Sequence, residues 1–106
     1  MKDLDKLNLE IADCYGYEAQ SNQLIEECAE LIQAINKHKR VMHNRQSVNM
    51  TLNEAINNVS EEIADVEIML EQIKYLLGIN EQYIDTIKEM KINRTAQRIE
   101  EKELAR

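Results

Sequence analysis

The sequence contains no Pro, Trp or Phe, and only two Gly, Gly16 and Gly78. With no Pro and almost no Gly, little interrupts a helix from within, and the missing aromatics weaken any case for sheet. Ile, Leu and Met are left to fill the core. Cysteine is also scarce: Cys14 and Cys28 lie on apolar stripes, with no His or second Cys at zinc-site spacing. Buried free thiols in a reducing compartment are expected. No apolar run approaches the ~20 residues of a membrane span. The amino terminus reads as carrying no signal peptide, so a cytoplasmic protein with no membrane partner is expected. Positive charge is in short supply too, with 13 Lys and Arg against 20 Asp and Glu and a net charge of -7. That balance argues against a general surface for a nucleic acid polymer, which needs a basic footprint to release counterions. A single nucleotide remains compatible if metal ions bridge its phosphates to an acidic site.

What is present is an all-α pattern in one small domain of 106 residues with 43% apolar content. Four helical segments are expected, over residues 1–16, 17–43, 51–78 and 80–106. Leu4, Leu7, Ile11 and Cys14 stripe the first, which stops at Gly16. Thr51 with Glu54 reads as a capping box opening the third, which ends before Gly78, and Asn80 can cap the last. The polar stretch 43–50 is the only linker. It contains Asn44, Arg45, Gln46, Ser47 and Asn49, and its length suits an antiparallel helical hairpin.

Two acidic pairs occupy matching places in that hairpin. Glu27 and Glu30 fall in Glu26-Glu27-Cys28-Ala29-Glu30, and Glu62 and Asp65 in Glu61-Glu62-Ile63-Ala64-Asp65. Spacing alone decides little, because 20 acids in 106 residues yield about four i, i+3 pairs by chance, and four occur. Their setting is more informative. Leu24, Cys28, Leu31 and Ile35 form one apolar stripe; Ile56, Val59, Ile63, Val66, Leu70, Ile73 and Leu77 form another. Both acidic pairs lie about 65 to 130 degrees to the same side of their stripes. A shared offset brings them to one edge only if the helices run antiparallel. The pairs centre on 28.5 and 63.5, whose midpoint of 46 nearly coincides with the linker centre at 46.5. Four carboxylates therefore converge, which is unfavourable without a counter-ion, and hard oxygen ligands favour Mg2+, with Mn2+ possible.

The run Glu-Glu-x-x-Glu followed by Glu-x-x-Asp resembles the MazG-type all-α nucleoside triphosphate pyrophosphohydrolases. The matching residues are Glu26, Glu27, Glu30, Glu62 and Asp65, and the likeness covers residues 15 to 98. One departure is the 31 residues between Glu30 and Glu62, on the long side for the pattern. The resemblance implies that Glu27, Glu30, Glu62 and Asp65 bind Mg2+, with Glu26 an auxiliary ligand or water-orienting base. It further implies hydrolysis of a nucleoside triphosphate between its α- and β-phosphates, giving the monophosphate and pyrophosphate. Glu26 or Glu27 would accept the proton of the attacking water.

The last helix begins its inward stripe with Ile84 and Ile87 and continues it as Lys91, Arg94 and Arg98. Mirrored about the turn at 78–80, this basic track comes level with Glu62 and Asp65. Either the cations neutralise the carboxylates directly, or Lys91 and Arg94 hold the outer phosphates of the substrate, with Asn93 a weaker candidate. His38 and His43 are expected to be exposed near the hairpin tip. Tyr15, Tyr17, Tyr75 and Tyr83 are expected to pack; Gln20, two turns before the acidic motif, could read a base edge, though no feature of the sequence assigns it that role. Ile25, Ile32, Ile68 and Met69 leave apolar surface beyond the hairpin, so a homodimer or homotetramer with a four-helix core is expected. The alternatives are a non-catalytic helical adaptor or regulator, or a nucleotide binder without hydrolysis.

Overall fold

The computed structural model describes residues 3–43 and 49–104, and all of their regular structure is helical. Helix α1 spans Leu4–Met42, α2 spans Leu52–Leu77 and α3 spans Glu81–Leu104. Asn44, Arg45, Gln46 and Ser47 of the linker lie outside the described residues, as does Ala105.

The helix ends follow their local chemistry. Asp3 caps α1 by accepting from the Asp5 N–H at 3.0 Å. Thr51 and Glu54 form the reciprocal capping box of α2, with bonds of 3.1 and 3.0 Å. Gly78 closes α2 in the left-handed region, with φ 66°, and the Ile79 N–H returns to the Lys74 carbonyl at 2.8 Å. Asn80 accepts from the Gln82 N–H at 2.8 Å as α3 begins, and Lys74 bridges to Glu81 at 2.7 Å across that turn.

The first and second expected helices adjoin without a loop and are counted together as α1. Gly16 is nonetheless a break: its φ 85° and ψ 168° lie in a region essentially reserved for glycine. The segments on either side meet α2 in opposite order. Asn8 bonds Ile68 and Gln72, and Asp13 bonds Tyr75, so the leading segment ascends with α2. On the trailing segment Gln20 bonds Gln72 while Glu30 faces Glu62, a descending order. Residues 17–42 and α2 thus form the expected antiparallel hairpin, and the pairs 20 with 72, 27 with 65 and 30 with 62 are all symmetric about residue 46.

Burial is thin. The buried apolar side chains are Ala12, Ala34, Ala55 and Met69. In α2 the residues Leu52, Ile56, Val59, Ile63, Val66, Leu70, Ile73 and Leu77 alternate four and three apart, as in a heptad seam. Val59, Val66 and Ile73 are half-buried, whereas Ile56, Ile63, Leu70 and Leu77 are 42 to 52% exposed. In trailing α1, Leu24 and Leu31 are half-buried but Tyr17, Cys28, Ile35 and Met42 are exposed. Each helix covers one row of its partner's seam and leaves the other open. By helical wheel, both open rows fall on the edge opposite Glu30 and Asp65. Met69, expected at the surface, is instead inside the hairpin, while Ile25, Ile32 and Ile68 are exposed. Helix α3 contains no buried residue. The radius of gyration is 18.3 Å, against about 13 Å for a compact chain of this length.

Candidate metal centre

Trailing α1 and α2 bring together three carboxylates. One oxygen from each of Glu27, Glu30 and Glu62 lies within 4.8 Å of the other two. Glu27 and Glu62 are half-buried in the hairpin seam, and Glu30 is exposed at its rim. Asp65 is also exposed and falls outside this tight trio, yet it is within hydrogen-bonding reach of Glu27 and its charge acts on both Glu27 and Glu62. The shared offset from the stripes therefore has a sharper form than the sequence suggested: Glu27 and Glu62 are within the contact surface, not beside it.

The electrostatics follow from that position. Loss of hydration raises the Glu27 carboxyl above its ordinary value of 4.5, and the charges of Asp65 and Glu30 raise it further. Glu62 is raised for the same leading reason, followed by the charges of Glu30, Asp65 and Glu27. One donor opposes this trend. Gln23 Nε2 donates to Glu27 Oε1 at 2.8 Å, which favours the ionised form of Glu27. Glu27 Oε2 and Glu62 Oε2 are both buried with no hydrogen-bond partner. Two acceptors without donors, in a cluster of negative charge, form a donor set that suits a hard divalent cation.

The other expected site residues are apart from this cluster. Glu26 is exposed on the outward side of α1. Lys91, Asn93 and Arg94 are exposed on α3, which packs closely on neither α1 nor α2, so a single chain does not bring the basic track level with the acids. Mirroring about the 78–80 turn requires α3 to fold back along α2, whereas among the described residues only Ile84 and Ile87 of α3 are half-buried and 91–98 are exposed.

Several smaller expectations are corrected by the same thin packing. Cys14 and Cys28 are free but exposed. All four tyrosines are exposed, with Tyr75 donating to Asp13 at 2.8 Å. His38 is half-buried in a cleft with Ile35, Ile56, Val59 and Ser60, while His43 is exposed as expected. Gln20 is 8% exposed and spends its amide on Gln72 at 2.7 Å, so it is not free to read a base. Gln23 was overlooked, although its place four residues before Glu27 puts a donor on the same helix face.

No family model, curated protein or solved structure matches the chain.

Proposed function

We propose that this chain is a divalent-cation-dependent nucleoside triphosphate pyrophosphohydrolase of the MazG type. The observation that carries the reading is the pair of buried, partnerless oxygens, Glu27 Oε2 and Glu62 Oε2, within a carboxylate cluster that straddles an antiparallel hairpin. A cluster of that kind destabilises its own fold unless a cation occupies it, so its presence in the seam argues for a binding role.

Glu27, Glu30 and Glu62 are the residues that would hold Mg2+, or Mn2+ in its place, with Asp65 completing the set from the rim. When bound, the ion supplies charge stabilisation on phosphate oxygens and acidifies a coordinated water. The chain's own contribution is to hold the carboxylates in register and to accept a proton. A carboxylate beside the coordinated water, Glu26 or Glu27, would accept its proton. Glu26, pointing outward, serves better as an auxiliary group on the solvent side. The reaction adds water across the α–β phosphoanhydride and yields nucleoside monophosphate and pyrophosphate.

The homo-oligomer belongs to the same reading. Tyr17, Ile35, Met42, Leu52, Ile56, Ile63, Leu70 and Leu77 are each 40 to 57% exposed. Together they line one edge of the hairpin with apolar surface left open to solvent. A second hairpin laid on this edge completes a four-helix core and leaves the carboxylates facing outward. Lys91, Arg94 and Asn93 would then reach a phosphate only from another copy's α3 or after α3 moves.

The same open apolar rows favour a second reading, a helical adaptor that uses them to bind a different protein. Pyrophosphate release from a panel of canonical and modified nucleoside triphosphates, with and without Mg2+, separates the two. Mg2+-dependent release that Glu62→Gln abolishes supports the hydrolase. No release from any member, with no Mg2+-dependent nucleotide binding by calorimetry, leaves the adaptor.

A further inference from the structure

We propose that Gln23 is a positioning residue that fixes which oxygen of Glu27 is offered to a cation. This rests on the cation-site reading above. Gln23 precedes Glu27 by one helical turn, is half-buried, and donates through Nε2 to Oε1 at 2.8 Å. The terminal torsion of a glutamate is broad and roughly two-fold, so an unanchored carboxylate turns easily and exchanges its oxygens. The amide removes that freedom. With Oε1 engaged by Gln23, the oxygen left with open lone pairs is Oε2, which is buried without a partner. Glu27 is thereby set up for monodentate ligation.

The chemistry of the anchor matters as much as its reach. A Lys or Arg at this position would place a fixed positive charge beside Glu27 and compete with the ion, whereas a neutral amide orients the carboxylate and leaves the negative charge available. The arrangement is also one-sided. Asn58, four residues before Glu62 and one methylene shorter than Gln23, makes no bond to Glu62 among the described residues. Glu62 therefore keeps its torsional freedom, and Glu27 is the ligand whose geometry is prepared in advance.

The test is Mn2+ binding to the full chain, followed by calorimetry and by the electron paramagnetic resonance of free Mn2+. Gln23→Met keeps the side-chain length and removes the amide; Gln23→Asn stays polar but cannot reach, and serves if the apolar variant does not fold. Either is expected to bind Mn2+ about 10- to 100-fold more weakly, the usual effect of removing an outer partner of a metal ligand. Each is then repeated in a Glu27→Gln background. A positioning residue acting through Glu27 adds no further loss there, while a general structural role gives additive losses. Unchanged affinity in the single variants, or additivity in the double variant, overturns the role of Gln23 while the site stands. Failure of the wild-type chain to bind Mn2+ overturns the site and this assignment together.

Discussion

Gln20 and Gln72 face each other across the hairpin, with the Gln20 amide donating to the Gln72 side-chain oxygen at 2.7 Å in a nearly water-free setting. Gln72 passes its own amide hydrogen to Asn8 Oδ1 at 2.7 Å, and Asn8 donates to the Ile68 carbonyl at 3.1 Å. This chain of amides joins the leading segment of α1 to both helices of the hairpin. Its members are satisfied by one another, so breaking one bond strands the next.

Gln72→Leu is expected to destabilise the fold by about 1–3 kcal/mol, because the Gln20 donor and the Asn8 acceptor are left without partners. Replacing Gln20 and Gln72 together by Leu is expected to cost much less than the sum of the single changes. Urea denaturation of the three variants measures this, and additive losses would refute the coupling.

In the metal-free chain, Glu62→Gln is expected to raise the melting temperature at neutral pH. The wild-type carboxyls of Glu27 and Glu62 have folded-state pKa values above 4.5, so their contribution to stability is most favourable below 4.5 and is lost as pH rises through the folded values. The benefit of the substitution should therefore shrink as pH falls toward 4.5. Glu54 and Glu81 act in the opposite sense. They are held below 4.5 by the backbone N–H of Thr51 and by Lys74, and lose their contribution only as pH falls through those lower values. Scanning calorimetry across pH, in a chelator, tests the sign; a lower melting temperature for Glu62→Gln throughout would mean that the cluster is not self-repelling.

Gly16→Ala is expected to cost about 1–3 kcal/mol, the price of holding a side chain in a glycine-only backbone conformation. Nothing lies within 4 Å of an added Cβ, so the loss would come from the backbone and not from a clash. Denaturant titration checks the size, and a neutral effect would mean that the two segments of α1 do not depend on the break.

Ile63→Glu, with Ile56→Glu as a second variant, puts charge on the open edge without touching the carboxylates. A shift from dimer or tetramer to monomer in light scattering is the expected outcome. A wild-type chain that is monomeric at all concentrations would exclude the four-helix core.

Much of this organisation was legible in the residues. The capping box at Thr51 and Glu54, the glycine cap at Gly78 and the Asn80 cap are local chemistry, which sequence carries directly. The hairpin register was legible because two acidic pairs and one linker shared a midpoint. What was not legible depended on partners that periodicity does not name. Cys28 and Ile35 lie on a true apolar stripe, yet one α1–α2 contact covers only half of each seam, so both are exposed. The basic track of α3 was misplaced for a related reason: Ile84 and Ile87 supply too short an apolar face to hold residues 91–98 along α2. The candidate site was legible as a set of acids, but Gln23 was overlooked because an amide attracts no attention until its partner is known.

The seam position of Glu27 and Glu62 has a thermodynamic corollary. Any ion captured between them favours the closed hairpin over the unfolded chain by RT ln(1 + [L]/Kd), about 2.7 kcal/mol when the ion is present at a hundredfold excess over its dissociation constant. Occupancy and folding then become one equilibrium, and the concentration of free divalent ion sets how much of the chain survives a challenge by heat or protease.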